Sequence, residues 1–365
     1  MHIVLRTLVI LLLMKIGITG TGSYLPEIIT KNDDFINHRF LNLNGSEFEY
    51  SNATIIEKFQ AITGISERRY ASAELKTSDL GFLAAEKAIA NAGINKEELD
   101  YIIFAHNFGD LEKDKTQSDT LPSLATRVKH LLQIKNTSCV AYDIIFGCPG
   151  WIEALIQAKA FIQSGMAKKC LVIGGETLSR VIDPHDRDSM IYSDGAGACI
   201  LEEDSNSGQI LAHASQTHAN GEAYYLYFDK TNDQEGCNNT RYIKMHGRKI
   251  YEFACTHVPQ AMADCLNDTH IKIEQVKKIF IHQANEKMDE AIIKRFYRLY
   301  GKEVPAGVMP MIIQEMGNNS VATVPILFDR VRKGELAPHK LNKGDVVIFA
   351  SVGAGMNINA IVYQV

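Results

Sequence analysis

The sequence predicts an α/β protein built as two halves, in which buried strands alternate with amphipathic helices and each half supplies its own sheet. Three observations carry that prediction. Residues 99–106 (L-D-Y-I-I-F-A-H) and 277–282 read as buried strands, and segments of helical period separate them from the next strands. The order of strand, turn and helix found before residue 205 recurs after it with little sequence identity. With 46% apolar residues in a chain of 365, a large core can be buried. The expected architecture is two mostly parallel sheets with helices between and outside them, divided into residues 14–204 and 205–365.

Taken in order, residues 15–23 read as the first core strand and a glycine turn, 26–30 as a loop, and 31–51 as a polar surface excursion with Asn-Gly at 44 and 45. Residues 55–62 are helical, and 63–70 form a turn leading to a strand or loop. A long amphipathic helix follows over 77–92, with Thr77 or Ser78 as its cap and Gly93 as its stop. After the strand at 99–106 come a charged loop (107–120) and a helix (122–132). Residues 139–151, C-V-A-Y-D-I-I-F-G-C-P-G-W, then read as a strand, a Gly-Cys-Pro-Gly turn and the start of a helix. Strands at 169–174 and 194–201 complete the first half. In the second half, strands are expected at 209–216, 277–282, 345–351 and 360–363, with helices at 251–266 and 288–300. Residues 316–331 repeat the turn-then-helix form seen around Cys148.

A net charge of −5 and a pI near 6.2 argue against nucleic-acid binding. The seven cysteines are odd in number, lie mostly in apolar runs and form no C-x-x-C pair, as expected for reduced thiols in a cytosolic protein without a metal site. The apolar run at 3–14 is too short to span a membrane and has no small-x-small cleavage site after it. Met14 is the expected start, with residues 1–13 dispensable.

Cys148 is the expected nucleophile. Pro149 suits a first helical position, and a thiol at a helix N-terminus is expected to titrate nearer neutrality because the dipole and free N–H groups favour its thiolate. The run I-H-Q-A-N (281–285) and G-N-N-S (317–320) also lie just past buried strands. Neutral His282 and the Asn318 amide can donate to an enolate or oxyanion without adding a competing base. The G-A-G at 353–355 can place the Gly355 N–H beside that of Cys148 as an oxyanion hole.

From residue 15 onward the chain resembles the β-ketoacyl-acyl-carrier-protein synthase III family of the thiolase superfamily. The motifs are T-G-I-S-E-R-R (63–69), D-x-x-x-G-C-x-G (143–150), D-P-x-D-R (183–187), D-G-A-G-A (194–198), H-Q-A-N (282–285) and G-N-x-S-x-A-x-x-P (317–325). The resemblance implies a thiolase-like fold of α-β-α-β-α layers and a cytoplasmic homodimer. It also implies a decarboxylating Claisen condensation of an acyl thioester with malonyl-acyl carrier protein in fatty-acid or specialised lipid or polyketide synthesis. Cys148 is then the acylated residue, His282 and Asn318 bind the malonyl thioester carbonyl, and Cys148 and Gly355 hold the oxyanion. Phosphopantetheine or CoA enters as part of the substrate, with no resident cofactor. The alternatives are an acyltransferase that passes the Cys148 acyl group to an alcohol or amine, and a partner subunit without catalysis.

The same resemblance assigns Arg187 to CoA binding, Leu121 to the primer pocket across the dimer, and Lys287, Lys294 and Arg295 to carrier docking. Arg298 lies on the same helix face as these three basic residues. Degradative thiolases carry a second cysteine in the C-terminal glycine loop, and elongating synthases pair their cysteine with two histidines; neither pattern occurs here. Where acetyl-CoA-primed members carry an adenine-stacking tryptophan and then an arginine before T-G-I, this chain has Lys58 or Phe59, and Ile62. A carrier-bound or unusual primer is therefore expected.

Overall fold

The computed structural model describes residues 14–204, 208–235 and 239–365, so the segment 1–13 expected to be dispensable lies outside the described residues. In the first half, β1 (Ile16–Tyr24) is followed by the short antiparallel pair β2 (Ile28–Lys31) and β3 (Glu67–Tyr70). Then come β4 (Tyr101–Ala105), β5 (Val140–Ile144), β6 (Lys169–Thr177) and β7 (Asp194–Glu203). The helices there are α1 (Asn52–Thr63), α2 (Thr77–Ala92), α3 (Leu124–Leu131) and α4 (Gly150–Gln163). The second half has β8 (Gln209–Thr217), a hairpin of β9 (Leu226–Lys230) and β10 (Arg241–Met245), β11 (Val276–Ile281), β12 (Val346–Gly353) and β13 (Asn357–Gln364). Its helices are α5 (Gly247–Asn267), α6 (Glu286–Leu299), α7 (Ile313–Met316) and α8 (Thr323–Arg332).

The sheet orders are β1-β7-β6-β4-β5 and β8-β13-β12-β11, so β1, β7, β6 and β4 correspond in turn to β8, β13, β12 and β11. Both sheets are mixed, which corrects the expectation of mostly parallel ones. The pairs β4–β5, β4–β6 and β11–β12 are parallel, while β1–β7, β6–β7, β12–β13 and β8–β13 are antiparallel. Connection length settles one case: only Ala354–Met356 lies between β12 and β13, too few for the dozen or more residues of a parallel crossover, whereas the connection from β6 to β7 (178–193) is long enough for either direction but carries no long helix.

α4 and α8 form the middle layer, each packed against strands of both sheets. α4 can sit there because it is apolar on several sides, burying Trp151, Ile152, Leu155, Ala158 and Ile162. α2 and α3 cover the outer face of the first sheet, α5 and α6 that of the second, giving α-β-α-β-α layers. Among the hydrogen bonds that join the halves, one runs from the Ile18 N–H, beside a register shift in β1, to the buried Tyr363 hydroxyl 3.0 Å away.

Three local expectations change. Lys76, not Thr77 or Ser78, caps α2, because Asp110 takes both the Ser78 N–H and hydroxyl (2.7 and 2.6 Å) and the Thr77 hydroxyl pairs with Thr177. The excursion at 31–51 is partly core, since Phe35, Phe40 and Leu41 are buried, Phe35 and Phe40 in a cluster with Ile55, Ile56 and Phe59. The unforeseen β9–β10 hairpin is fixed by buried Lys244, whose Nζ donates to Asp183 (2.6 Å), Asp186 (2.9 Å) and Asn232 (2.7 Å). No helix among the described residues is long and apolar enough to cross a membrane.

Candidate active site

Cys148 lies in the turn between β5 and α4, on the middle layer where the halves meet. Pro149 is the cap and α4 begins at Gly150, so the cysteine stands one residue farther out than its expected place beside a first helical proline. The loop after β12 backs this turn directly. A Cβ on Gly353 would stand 2.3 Å from Cys148 N, and one on Gly147 (φ +67) would stand 2.7 Å from Ala354 N. These glycines let two backbones meet, rather than leaving room for substrate.

His282 follows β11, with its own N–H bonded to the Ala350 carbonyl at 2.9 Å. Asn285, three residues on, caps α6 by accepting from the Met288 N–H at 3.0 Å. Asn318 follows α7 and is held by the 189–193 segment, donating its N–H to Ile191 O and accepting from Ser193 N, both at 2.9 Å. Its Oδ1 accepts from the Ser320 N–H at 2.8 Å, which leaves the Nδ2 side of the amide available to a ligand.

Ser320 unites the set. Its hydroxyl donates to Cys148 Sγ at 3.3 Å, its N–H fixes Asn318, and its backbone bonds the His282 ring. It does so from a left-handed conformation, φ 49°, uncommon for a residue other than glycine. Sequence reasoning quoted this serine within G-N-x-S without giving it a role. Asn107, which donates to Ser320 Oγ at 3.1 Å, falls at the start of the expected 107–120 loop, and no sequence signal marks it.

Burial decides the charge states. It pushes the His282 imidazole down to about 4, with the Ser320 backbone bond acting against it, so the ring is neutral near pH 7. Its Nδ1 is buried without a partner. The Cys148 thiol is not lowered as expected. Burial pushes it up to about 11, the Ser320 hydroxyl opposes that, and Glu176 adds to it. The helix end is one residue too far along to outweigh desolvation. Glu176, also buried, is raised to about 8, with the Asn107 hydrogen bonds opposing the rise and Asp194 contributing to it.

Except for Gly355, the remaining predicted residues stand apart from this cluster. Arg187 is exposed, 5.0 Å from the Phe48 ring and 4.0 Å from Asp188. Lys58 Nζ lies 3.6 Å over Tyr50, so the excursion brings two aromatic rings to the two cationic positions. Lys287, Lys294, Arg295 and Arg298 are all exposed on α6, with Glu290 among them, and Arg295 also donates to the Cys255 carbonyl at 2.7 Å. Leu121 is 87% exposed. Gly355 takes φ 75° within the loop that backs Cys148. The six cysteines among the described residues are free thiols, and Cys237 lies outside them. Trp151 is core, edge-on to Phe349 at 5.8 Å.

Two sequence profiles match the chain. That of 3-oxoacyl-[acyl-carrier-protein (ACP)] synthase III covers residues 142–221, and that of its C-terminal part covers 266–365. The β-ketoacyl-[acyl-carrier-protein] synthase III of Porphyra purpurea is 32% identical over 359 residues, covering 96% of this chain and 99% of that one. Its counterpart from Neisseria gonorrhoeae is 33% identical, covering 95% and 98%. The crystal structure of 3-oxoacyl-[acyl-carrier-protein] synthase III from Aquifex aeolicus superposes with a TM-score of 0.78 at 29% identity, covering 96% of this chain and 100% of that one.

Proposed function

The chain belongs to the β-ketoacyl-acyl-carrier-protein synthase III family and is a condensing enzyme of that type, and from this premise we propose which residues perform its chemistry. Cys148 Sγ attacks the acyl carbon of the primer thioester, forming a new S–C bond, and the donor thiol departs with the proton. The N–H groups of Cys148 and Gly355 hold the tetrahedral oxyanion. Malonyl-carrier then places its thioester carbonyl against His282 and Asn318. As CO2 leaves, the C–C electron pair becomes an enolate whose charge these two neutral donors disperse. The enolate carbon attacks the acyl group on Cys148, and collapse returns the thiolate and releases a 3-oxoacyl-carrier.

The observation that carries this reading is the convergence of Cys148, His282 and Asn318 on Ser320, which touches all three. Intact-mass measurement of acyl-enzyme, paired with CO2 release from malonyl-carrier, tests it. Cys148→Ala is expected to take up no acyl group, while His282→Ala and Asn318→Ala become acylated yet release no CO2. Acyl transfer to an alcohol or amine without CO2 release would replace the condensation reading.

The family supplies thioesters of acyl carrier protein as substrates. We assign carrier docking to Lys287, Lys294 and Arg295, exposed along α6, the helix that begins just after His282. Arg187 is assigned to the phosphopantetheine or CoA arm and Leu121 to the primer pocket of a second subunit in a cytoplasmic homodimer. Edge strand β5 supports the dimer, since Val140 and Ile145 are 47% and 68% exposed beside the protruding Leu121. Lys58 in place of an adenine-stacking residue favours a carrier-bound primer over a CoA-bound one. Residues 14–204 and 205–365 are the units that contribute, respectively, the nucleophile and the decarboxylating pair.

A further inference from the structure

Cys148 has no titratable base among its hydrogen-bond partners; its sulfur receives a proton donor instead. Behind that donor stands a second one, the Asn107 amide, which donates toward Ser320 on one side and toward the Glu176 carboxyl on the other. Glu176 Oε1 accepts from both the backbone N–H and the Nδ2 of Asn107, at 3.0 and 2.5 Å. The second Nδ2 proton goes to Ser320 Oγ at 3.1 Å. An oxygen that accepts there turns its own proton elsewhere, and Ser320 Oγ donates to Cys148 Sγ at 3.3 Å. The parts come from four separate stretches: the end of β6, the residue pair after β4, the loop after α7 and the turn before α4. Glu176 is fully buried, and its Oε2 has no partner.

We propose that Asn107 and Ser320 form a donor relay that stabilises the Cys148 thiolate, with Glu176 as the anchor that sets the Asn107 amide. The inference rests on Cys148 being the nucleophile. Ser320 touches the reacting sulfur, whereas Asn107 and Glu176 act through it as positioning residues. The relay accepts no proton. During acylation the S–C bond to Cys148 forms, the donor's C–S bond breaks, and the thiol proton leaves with the departing thiol. The relay acts on the negative charge that the sulfur carries before attack and again when the condensation product is expelled. Hydrogen bonds to charged groups are about twice as strong as neutral ones, so the relay acts on the thiolate more than on the thiol. It offsets part of the burial that pushes this thiol up.

The test is the pH profile of Cys148 alkylation by iodoacetamide, read at Cys148 by peptide mass in the full-length protein. The other titratable groups near the sulfur are Glu176, Tyr192 and His282, with Asp194 facing Glu176. None of them is replaced in the Ser320 and Asn107 variants, and loss of the Asn107 side-chain bond leaves Glu176 more readily protonated, which favours the thiolate and so works against the expected shift. Ser320→Ala and Ser320→Gly are expected to raise the apparent thiol pKa by about one unit, slowing alkylation about tenfold at pH 8. The glycine variant suits the left-handed backbone and keeps the test available if alanine unfolds the loop. Asn107→Leu, close in size, uncharged and without the Nδ2 donors, is expected to shift the profile in the same direction. Glu176→Gln keeps the Oε1 acceptor and is expected to leave the thiol no less acidic than in the wild type. Profiles for Ser320→Gly and Asn107→Leu that superimpose on the wild type overturn the relay while leaving Cys148 as nucleophile. A wild-type Cys148 that takes neither iodoacetamide nor an acyl group overturns the nucleophile instead.

Discussion

Gly353 and Cys148 belong to different halves, yet a Cβ on Gly353 would stand 2.3 Å from the Cys148 nitrogen and 3.0 Å from its Cβ. Gly353 has extended backbone geometry, so this contact and not its conformation demands glycine. Gly353→Ala must therefore displace the nucleophile turn. A misplacement on the order of 1 Å costs about a hundredfold in rate, and acyl-enzyme formation by intact mass is expected to slow by that order. Retention of the wild-type rate would show that the turn yields without consequence.

His282 provides a pH dependence. Its pKa falls from 6.5 in the unfolded chain to about 4 in the fold, because burial penalises the imidazolium. The stability it contributes is full above about pH 6.5 and is lost as pH falls through 4. Decarboxylation of malonyl-carrier by His282 is correspondingly expected to be flat from about pH 5.5 to 8. A drop in activity with a midpoint near 6.5, absent in His282→Gln, would place a charged imidazole in the site.

Glu176 works in the opposite direction. Its folded pKa is raised to about 8 by burial, so its contribution to stability is present below the unfolded value and is lost as pH rises through 8. Glu176→Gln is expected to gain stability relative to the wild type between pH 5 and 9, by up to about 5 kcal/mol in denaturant titrations. A difference that does not change with pH would mean the carboxylate is ionised throughout.

Replacing Lys287 and Lys294 with Glu is expected to raise KM for malonyl-carrier by about three- to tenfold and to flatten its salt dependence, since exposed charges act mainly on encounter. Arg295 is left intact in this variant because its guanidinium also holds the Cys255 carbonyl. Self-acylation by a small diffusible thioester serves as the control. If both activities fall together, the helix face is structural.

The alternation of strands and helices and the repeat between halves were legible because each strand lies in a dense apolar run bounded by glycine or polar turns. Strand direction was not legible. β7 and β13 are as apolar as the strands beside them, so the burial pattern carries no sign of their orientation. The β9–β10 hairpin stayed hidden because it is only half-buried and depends on Lys244 reaching Asp183, a contact across 61 residues. Cys148, His282 and Asn318 stood out by residue type and position. The state of the thiol did not, since its burial is the sum of segments far apart in sequence, and neither did Asn107, which looks like any polar residue after a strand.

The hydrogen bond from Ile18 to Tyr363 spans 345 positions and ties the third residue of β1 to the next-to-last residue of β13. During synthesis the beginning of the chain is available long before its end. The Ile18 N–H thus has to wait, solvated or loosely paired, until the final strand has left the ribosome. Only then does the amide beside the β1 register shift acquire its buried acceptor, and the first sheet reaches its finished state as the last residues of the second are laid down.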